Sequence, residues 1–309
     1  MPMPKDLLKA RGSSAIPMTP FDENDVIDEA ALRREIEFIV ESGATSICVP
    51  VMVSEFETLS ERERKLMVEV TCDVVAGRCA VIACATAPNA EQAADYGAFA
   101  AKCGADAVIS MTPKAYEFDR VKEYFIRLAG ESGLPVMIQN AGIPGVQLSA
   151  GQVARLMEEI DGVTWVKQEV VPGPQGITEV VEACKSGLVG TMSGFGAVYS
   201  PTDWARGVTA SIHACEFCDL VQRVWDLFDE GKEEEARDFH YAILPALQLE
   251  GLFGMMYAKE IMVRRGVFEP RHVRLRTRCR PLSPQDMREI DRVWARTEPL
   301  LIWKLEDRV

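Results

Sequence analysis

Apolar and polar positions fall into a unit that recurs along the chain: an amphipathic stretch, a glycine, a short apolar run and a polar loop. Apolar residues at Leu32, Ile36, Ile39 and Val40, and again at Val153, Leu156, Met157 and Ile160, keep the spacing of one helix face. Glycines precede the apolar runs at Gly12, Gly43, Gly77, Gly104, Gly133, Gly162, Gly187 and Gly207, where a helix end or tight turn favours positive φ. The runs predict strands at Ala15–Met18, Thr45–Val49, Cys79–Ala83, Ala107–Ser110, Val136–Ile138, Val163–Lys167, Val189–Met192 and Val208–Ile212. Helix starts agree with this spacing. Ser60 with Glu63 and Ser149 with Gln152 spell capping boxes, Asn89 with Gln92 a looser version, and Ser200-Pro201 a cap followed by an N1 proline.

Eight strands alternating with helices over roughly 220 residues predict an α/β fold, a (β/α)8 TIM barrel. An open doubly wound sheet is the alternative, but it has fewer strands and a glycine-rich first turn that is missing here. After Gly231 the strand pattern stops, and Glu233–Glu250, Gly254–Arg265 and Pro284–Trp303 read as helices. The expected organisation is a barrel over residues 1–230 and a C-terminal helical extension over 231–309 packed on it.

Composition narrows the function. Apolar residues make up 48% of the 309, enough for a large core, and 34 basic against 47 acidic residues leave a net charge of -13. Such a surface repels phosphate backbones and anionic lipid, which excludes nucleic acid and membrane as partners. The basic run Arg271–Arg280 is expected to pair with acidic neighbours instead. No segment has the apolar length of a membrane span, and the start MPMPKDLLKARG lacks a signal-peptide core. Nine scattered cysteines suit reduced thiols in a cytoplasmic protein, and Cys215-Glu-Phe-Cys218, inside an apparent helix, has no second pair to complete a zinc site.

Barrel active sites lie at the C-terminal ends of the strands. There the sequence puts Thr19-Pro20-Phe21, then Pro50 to Glu55 with Val53 and Ser54, then Ala85-Thr86, and Met111-Thr112-Pro113. Gln139-Asn140, Lys167 with Glu169, Ser193-Gly194-Phe195-Gly196 and His213 follow. Lys167 ends the strand Gly162-Val-Thr-Trp-Val-Lys167, an unusual place for a lysine. An ammonium there loses hydration, which favours the neutral amine, a nucleophile able to form a Schiff base with a ketone. The competing reading is a lysine that snorkels to solvent or pairs with Glu169, two residues on and on the same face. Glu169 is either that ion-pair partner or a proton carrier. His213 titrates near neutrality unless it is packed against the barrel rim. Tyr116 can enter only if its loop folds back. Gln139 and Asn140 suit hydrogen-bond donation to a substrate carboxylate or carbonyl, and Gly194 with Gly196 clears space for the substrate.

In their order and spacing these residues resemble the dihydrodipicolinate synthase / N-acetylneuraminate lyase family of Schiff-base barrels. The marks are Thr19-Pro20-Phe21, Ser54-Glu55 with Thr58-Leu59, Thr112-Pro113, Gln139-Asn140 and Val166-Lys167, and the resemblance runs from about Ser14 through the tail. It implies an imine-forming lysine at Lys167, pyruvate or longer 2-oxo acids as substrates, no cofactor or metal, and a homotetramer. Together with the strand-end positions, this makes Thr19, Val53, Ser54, Gln139, Asn140, Ser193, Gly194 and His213 the expected surroundings of the substrate, with Lys167 and Glu169 catalytic.

The departures are equally specific. Val51-Met52-Val53-Ser54 stands where the family has a glycine, two threonines and a glycine to hold the keto-acid carboxylate. Gln139 replaces the proton-relaying tyrosine and cannot exchange a proton near neutral pH. Lys114-Ala115 replaces the tyrosine offered across a subunit contact, with Tyr116 displaced, and the stretch from Ala141 to Gly145 has no arginine. These changes argue against dihydrodipicolinate synthase itself and against the sialic acid lyase. The expected activity is an aldolase-type lyase on a 2-oxo acid, with dehydration of a 2-oxo-3-deoxy sugar acid as the alternative and a non-catalytic binding barrel as the rival from another class.

Overall fold

The computed structural model describes residues 11–114, 117–141, 146–184 and 188–305. Tyr116, the Gly142–Gly145 stretch and Gly187 lie outside the described residues. Eight parallel strands close into a barrel in chain order: β1 Gly12–Ile16, β2 Ser46–Val49, β3 Ala80–Cys84, β4 Ala107–Met111, β5 Val136–Asn140, β6 Val163–Gln168, β7 Gly190–Ser193 and β8 Ala210–Ala214. The intervening helices are α1 Glu29–Glu41, α2 Glu61–Val75, α3 Ala90–Cys103, α4 Phe118–Ser132, α5 Ala150–Glu159, α6 Gly173–Ala183, α7 Ser200–Trp204 and α8 Cys218–Asp229. The tail adds α9 Glu233–Phe253, α10 Met255–Arg264 and α11 Pro284–Thr297.

Alternation along the strands builds two cores. Ile16, Cys48, Ile82, Ile109, Met137, Trp165, Met192 and Ile212 fill the lumen. Their neighbours Ala15, Ile47, Val81, Val108, Ile138 and Val166 face outward and meet the apolar stripes of the helices, Leu32, Ile36 and Ile39 of α1 among them. This parity decides which strand-end side chains reach the mouth.

Local signals read from the sequence close as expected at the helix starts. Ser60 and Glu63 form a reciprocal capping box, as do Ser149 and Gln152, and Asn89 accepts from the Gln92 N–H. Such a cap contributes about 1 kcal/mol. Ser200 departs from this. It is already helical, with Tyr199 as the cap, and its hydroxyl donates to the Ala197 carbonyl. Two strands also slide from their expected places, β1 to Gly12–Ile16 and β8 to Ala210–Ala214. The polar pair Ser13-Ser14 hides the start of β1, whereas buried Val208 precedes β8 rather than opening it.

The tail is fastened to the barrel by buried ions. Arg265 donates to both carboxylate oxygens of Asp219 at 2.8 and 2.9 Å, and to the carbonyls of Glu216 and Trp303. Burial pushes the Asp219 carboxyl up, but the guanidinium outweighs it and leaves the group below its ordinary value. Lys259 of α10 donates to the Thr19 carbonyl at 2.6 Å, the Arg274 carbonyl at 2.8 Å and the Glu55 carboxylate at 3.1 Å. The basic run pairs with acids as expected: Arg271 with Asp28, Arg274 with Asp25, Arg276 with Glu63. Cys215 lies in a 3-10 turn rather than inside a helix, and Cys218 opens α8. Burial raises both thiols, so neither is a reactive thiolate.

Glu35 of α1 gives the fold a pH dependence. It is fully buried, and one carboxylate oxygen accepts from the Met18 N–H at 2.7 Å while the other has no partner among the described residues. Burial pushes its pKa from the ordinary 4.5 up to about 8. Between those values the native state keeps a proton that the unfolded chain has released, so stability falls as pH rises through the window and levels off above it. Glu35→Gln should flatten the fall in urea midpoint between about pH 5 and 8, by up to about 1.4 kcal/mol per pH unit. Parallel wild-type and variant profiles would refute the assignment.

Candidate active site

The mouth of the barrel holds a cavity of about 590 Å³, lined by Val51, Met52, Val53, Met111, Gln139, Lys167, Glu169, Phe195, Gly196, Tyr199, Leu247 and Glu250 among others. That volume suits a small molecule. Trp165 lies in the lumen core, so two residues on Lys167 also points inward, and Glu169 after it. Cross-strand register sets Gln139 of β5 and Met192 of β7 beside Lys167.

The ammonium of Lys167 lies 3.1 Å from Oε1 of Glu169, with its side chain 5% exposed. Oε2 of Glu169 accepts from the Gln139 carboxamide at 2.8 Å. Because a carboxylate takes the NH2 group of that amide, Gln139 Oε1 is left buried and without a partner among the described residues. Gln139 therefore has its donor committed to Glu169 and keeps an unused acceptor, not the donor expected from sequence. Gly194 has its own reason. A Cβ there would collide with the Glu169 carboxyl, so the residue makes room for a protein carboxylate rather than for the substrate.

Of the other expected contacts, His213 borders the cavity with its ring nitrogens engaged elsewhere, and most of the rest do not reach the mouth. Asn140 follows the inward Gln139 and faces outward, where it exchanges hydrogen bonds with the Leu148 backbone at 2.9 Å and donates to Gln168 at 3.0 Å. Ser193 likewise faces Ser211, 3.3 Å away. The ring of His213 sits between the Ser13 hydroxyl, 2.9 Å from Nε2, and the Ala214 carbonyl, 2.7 Å from Nδ1. Burial lowers its pKa to about 4, so it is neutral and engaged on both nitrogens. Thr19 donates to the Ser54 carbonyl at 2.6 Å, and Ser54 to the Pro17 carbonyl at 2.6 Å. Both hydroxyls lock the loops after β1 and β2 and are closed to a ligand. Val53 does line the cavity. Thr112 ties the loop after β4 to Val146.

Tyr199 and Glu250 are among the lining residues that the sequence did not reveal. Tyr199 stands at the rim, edge-on to Phe195 at 5.8 Å. Glu250 comes from the far end of α9, with its Oε2 2.9 Å from where a Cβ on Gly196 would stand. Burial pushes its carboxyl up to about 7, while the Lys167 ammonium pulls it down. The available signal was an acid flanked by Leu247, Leu249, Leu252 and Phe253.

The comparisons agree with this geometry. The model of the dihydrodipicolinate synthetase family matches residues 9–292. The L-2-keto-3-deoxyarabonate dehydratase of Azospirillum brasilense is 26% identical over 301 residues, covering 94% of this chain and 96% of that protein. The 4-hydroxy-tetrahydrodipicolinate synthase of Methanocaldococcus jannaschii is 31% identical over 239 residues, covering 75% of this chain and 80% of the relative. Among solved structures, dihydrodipicolinate synthase from Rhodopseudomonas palustris superposes with a TM-score of 0.84 at 20% identity, covering 94% of this chain and 98% of that one. The Aquifex aeolicus enzyme gives 0.84 at 24% identity, over 95% and 100%. A barrel of this topology, carrying an inward lysine at the end of its sixth strand and matched by the family model over nearly all its length, belongs to the dihydrodipicolinate synthetase family and with it to the aldolase-type lyases.

Proposed function

We propose that Lys167 forms an imine with the ketone of a 2-oxo acid and that Glu169 moves the protons. The observation that supports this most is the ion pair at 3.1 Å inside the mouth cavity. Glu169 takes the ammonium proton as the amine attacks, then returns it to the departing water of the carbinolamine. The protonated imine is an electron sink, so a bond to the carbon beyond its neighbour can break. Cleavage of a carbon–carbon bond there releases an aldehyde and leaves pyruvate, the aldolase outcome.

A second reading, loss of water from a 2-oxo-3-deoxy sugar acid, uses the same imine. The Azospirillum brasilense dehydratase favours it, since that relative matches this chain almost end to end. Product analysis separates the two: one releases an aldehyde, the other does not. With the Ser54 hydroxyl engaged, the backbone of Met52 and Val53 is left for the substrate carboxylate.

The functional unit is a homotetramer by family resemblance. Nine cysteines with no disulfide among the described residues suit a reducing cytoplasm. No described helix is long and apolar enough to cross a membrane.

Glu169→Gln keeps the shape and removes the base. Turnover should fall about 100-fold or more while the imine at Lys167 still forms. Unchanged turnover would reduce Glu169 to a structural ion-pair partner.

A further inference from the structure

The turn after β7 is built around two carboxyl groups. Gly194 leaves room for Glu169 and Gly196 leaves room for Glu250, and between and beyond them Phe195 and Ala197 are held at φ 55° and 62°. Left-handed backbone at two residues that carry a Cβ is a local cost, and such costs collect at functional sites. What the turn secures is a second acid in the mouth.

Charges in this mouth do not balance unless that acid holds a proton. Lys167 already has Glu169 at 3.1 Å. Glu250 lines the same cavity and feels the same ammonium, and its charge acts on a like group, Glu216, from the turn between β8 and α8. Glu216 is buried, and its Oε2 has no partner among the described residues. Burial and a neighbouring like charge both favour the protonated form of a carboxyl in this position.

We propose that Glu250 is the general acid that protonates the departing hydroxyl of a 4-hydroxy-2-oxo acid, so that the imine formed at Lys167 loses water. The proposal rests on the imine reading above and settles which bond breaks. Glu169 removes a proton from C3 of the iminium, giving the enamine. The enamine electron pair then expels the C4 hydroxyl, and the Glu250 carboxyl gives its proton to that oxygen. Water leaves, the C3–C4 double bond forms in conjugation with the regenerated iminium, Glu250 is left as carboxylate and Glu169 protonated. Proton return from Glu169 to Glu250 and hydrolysis of the imine complete the cycle. Aldol cleavage needs the reverse at O4, a base that removes the hydroxyl proton, and a protonated Glu250 is in the wrong state for it. Glu216 is a positioning residue that keeps the proton on the pair.

The test compares two leaving groups. Wild type and Glu250→Gln are assayed on 2-keto-3-deoxyarabonate and on its analogue with fluorine in place of the C4 hydroxyl, since fluoride departs without full protonation. Borohydride trapping at Lys167 is followed in parallel. The variant should lose about 100-fold or more in kcat on the hydroxy acid and stay within about tenfold of wild type on the fluoro acid, with trapping intact. Equal losses on both substrates, or no loss on either, overturn the role of Glu250. Wild type that traps the hydroxy acid but yields no dehydrated product overturns the inference alone. Wild type that traps no 2-oxo acid overturns the imine reading beneath it.

Discussion

Lys167→Ala should lower turnover by on the order of 10^5-fold, the advantage of a nucleophile held in place over one free in solution. The loss should fall on kcat. Binding survives, because the cavity walls of Val53, Met111, Phe195 and Leu247 are untouched. The fold survives as well. Glu169 keeps its bond to Gln139 at 2.8 Å and is partly open to the cavity, so its carboxylate is not stranded in a dry core. Circular dichroism and urea midpoint should match wild type within about 1 kcal/mol. A variant that retains more than a few per cent of wild-type turnover would show that the amine is not the reacting group.

The second large effect is on stability and comes from a different lysine. Lys259 and Glu55 are both fully shielded, and the lysine also holds the carbonyls of Thr19 and Arg274. Burial disfavours its ammonium and lowers its pKa, while Glu55 resists that shift. Lys259→Met fills the space but leaves Glu55 with only the Thr277 N–H at 2.7 Å. The expected cost is about 3–5 kcal/mol, the penalty for a buried charge without its partner. Adding Glu55→Gln should recover part of it, because the stranded charge is removed. Since Lys259 joins the loops after β1 and β2 to the tail, the single variant should also bind substrate less tightly. An unmoved urea midpoint would mean that the pair contributes nothing beyond its own desolvation.

The barrel was legible because its signals are local and repeat. Each apolar run is a strand, each capping box starts a helix, and Gly43, Gly77, Gly104, Gly133, Gly162 and Gly207 all have positive φ. Lys167 and Glu169 were legible for the same reason, a charge where a buried strand calls for none. Asn140 and Ser193 misled because adjacent strand residues face opposite ways, whereas His213 borders the cavity with both ring nitrogens engaged elsewhere. Counting parity from Trp165 and Lys167 across the register would have put both Asn140 and Ser193 outside the mouth. Glu250 is a different case. Nothing local ties it to the site; α9 delivers it from more than 80 residues along the chain, and only the packed structure sets it over Gly196.

The measurement that bears most directly on the account is covalent capture. Wild type incubated with pyruvate or a longer 2-oxo acid and then reduced with borohydride should carry the ligand on the peptide containing Lys167, seen as a mass shift. Lys167→Ala should show none under the same conditions, with its fold intact. Efficient turnover of a 2-oxo acid with no adduct at Lys167 would contradict the imine mechanism outright.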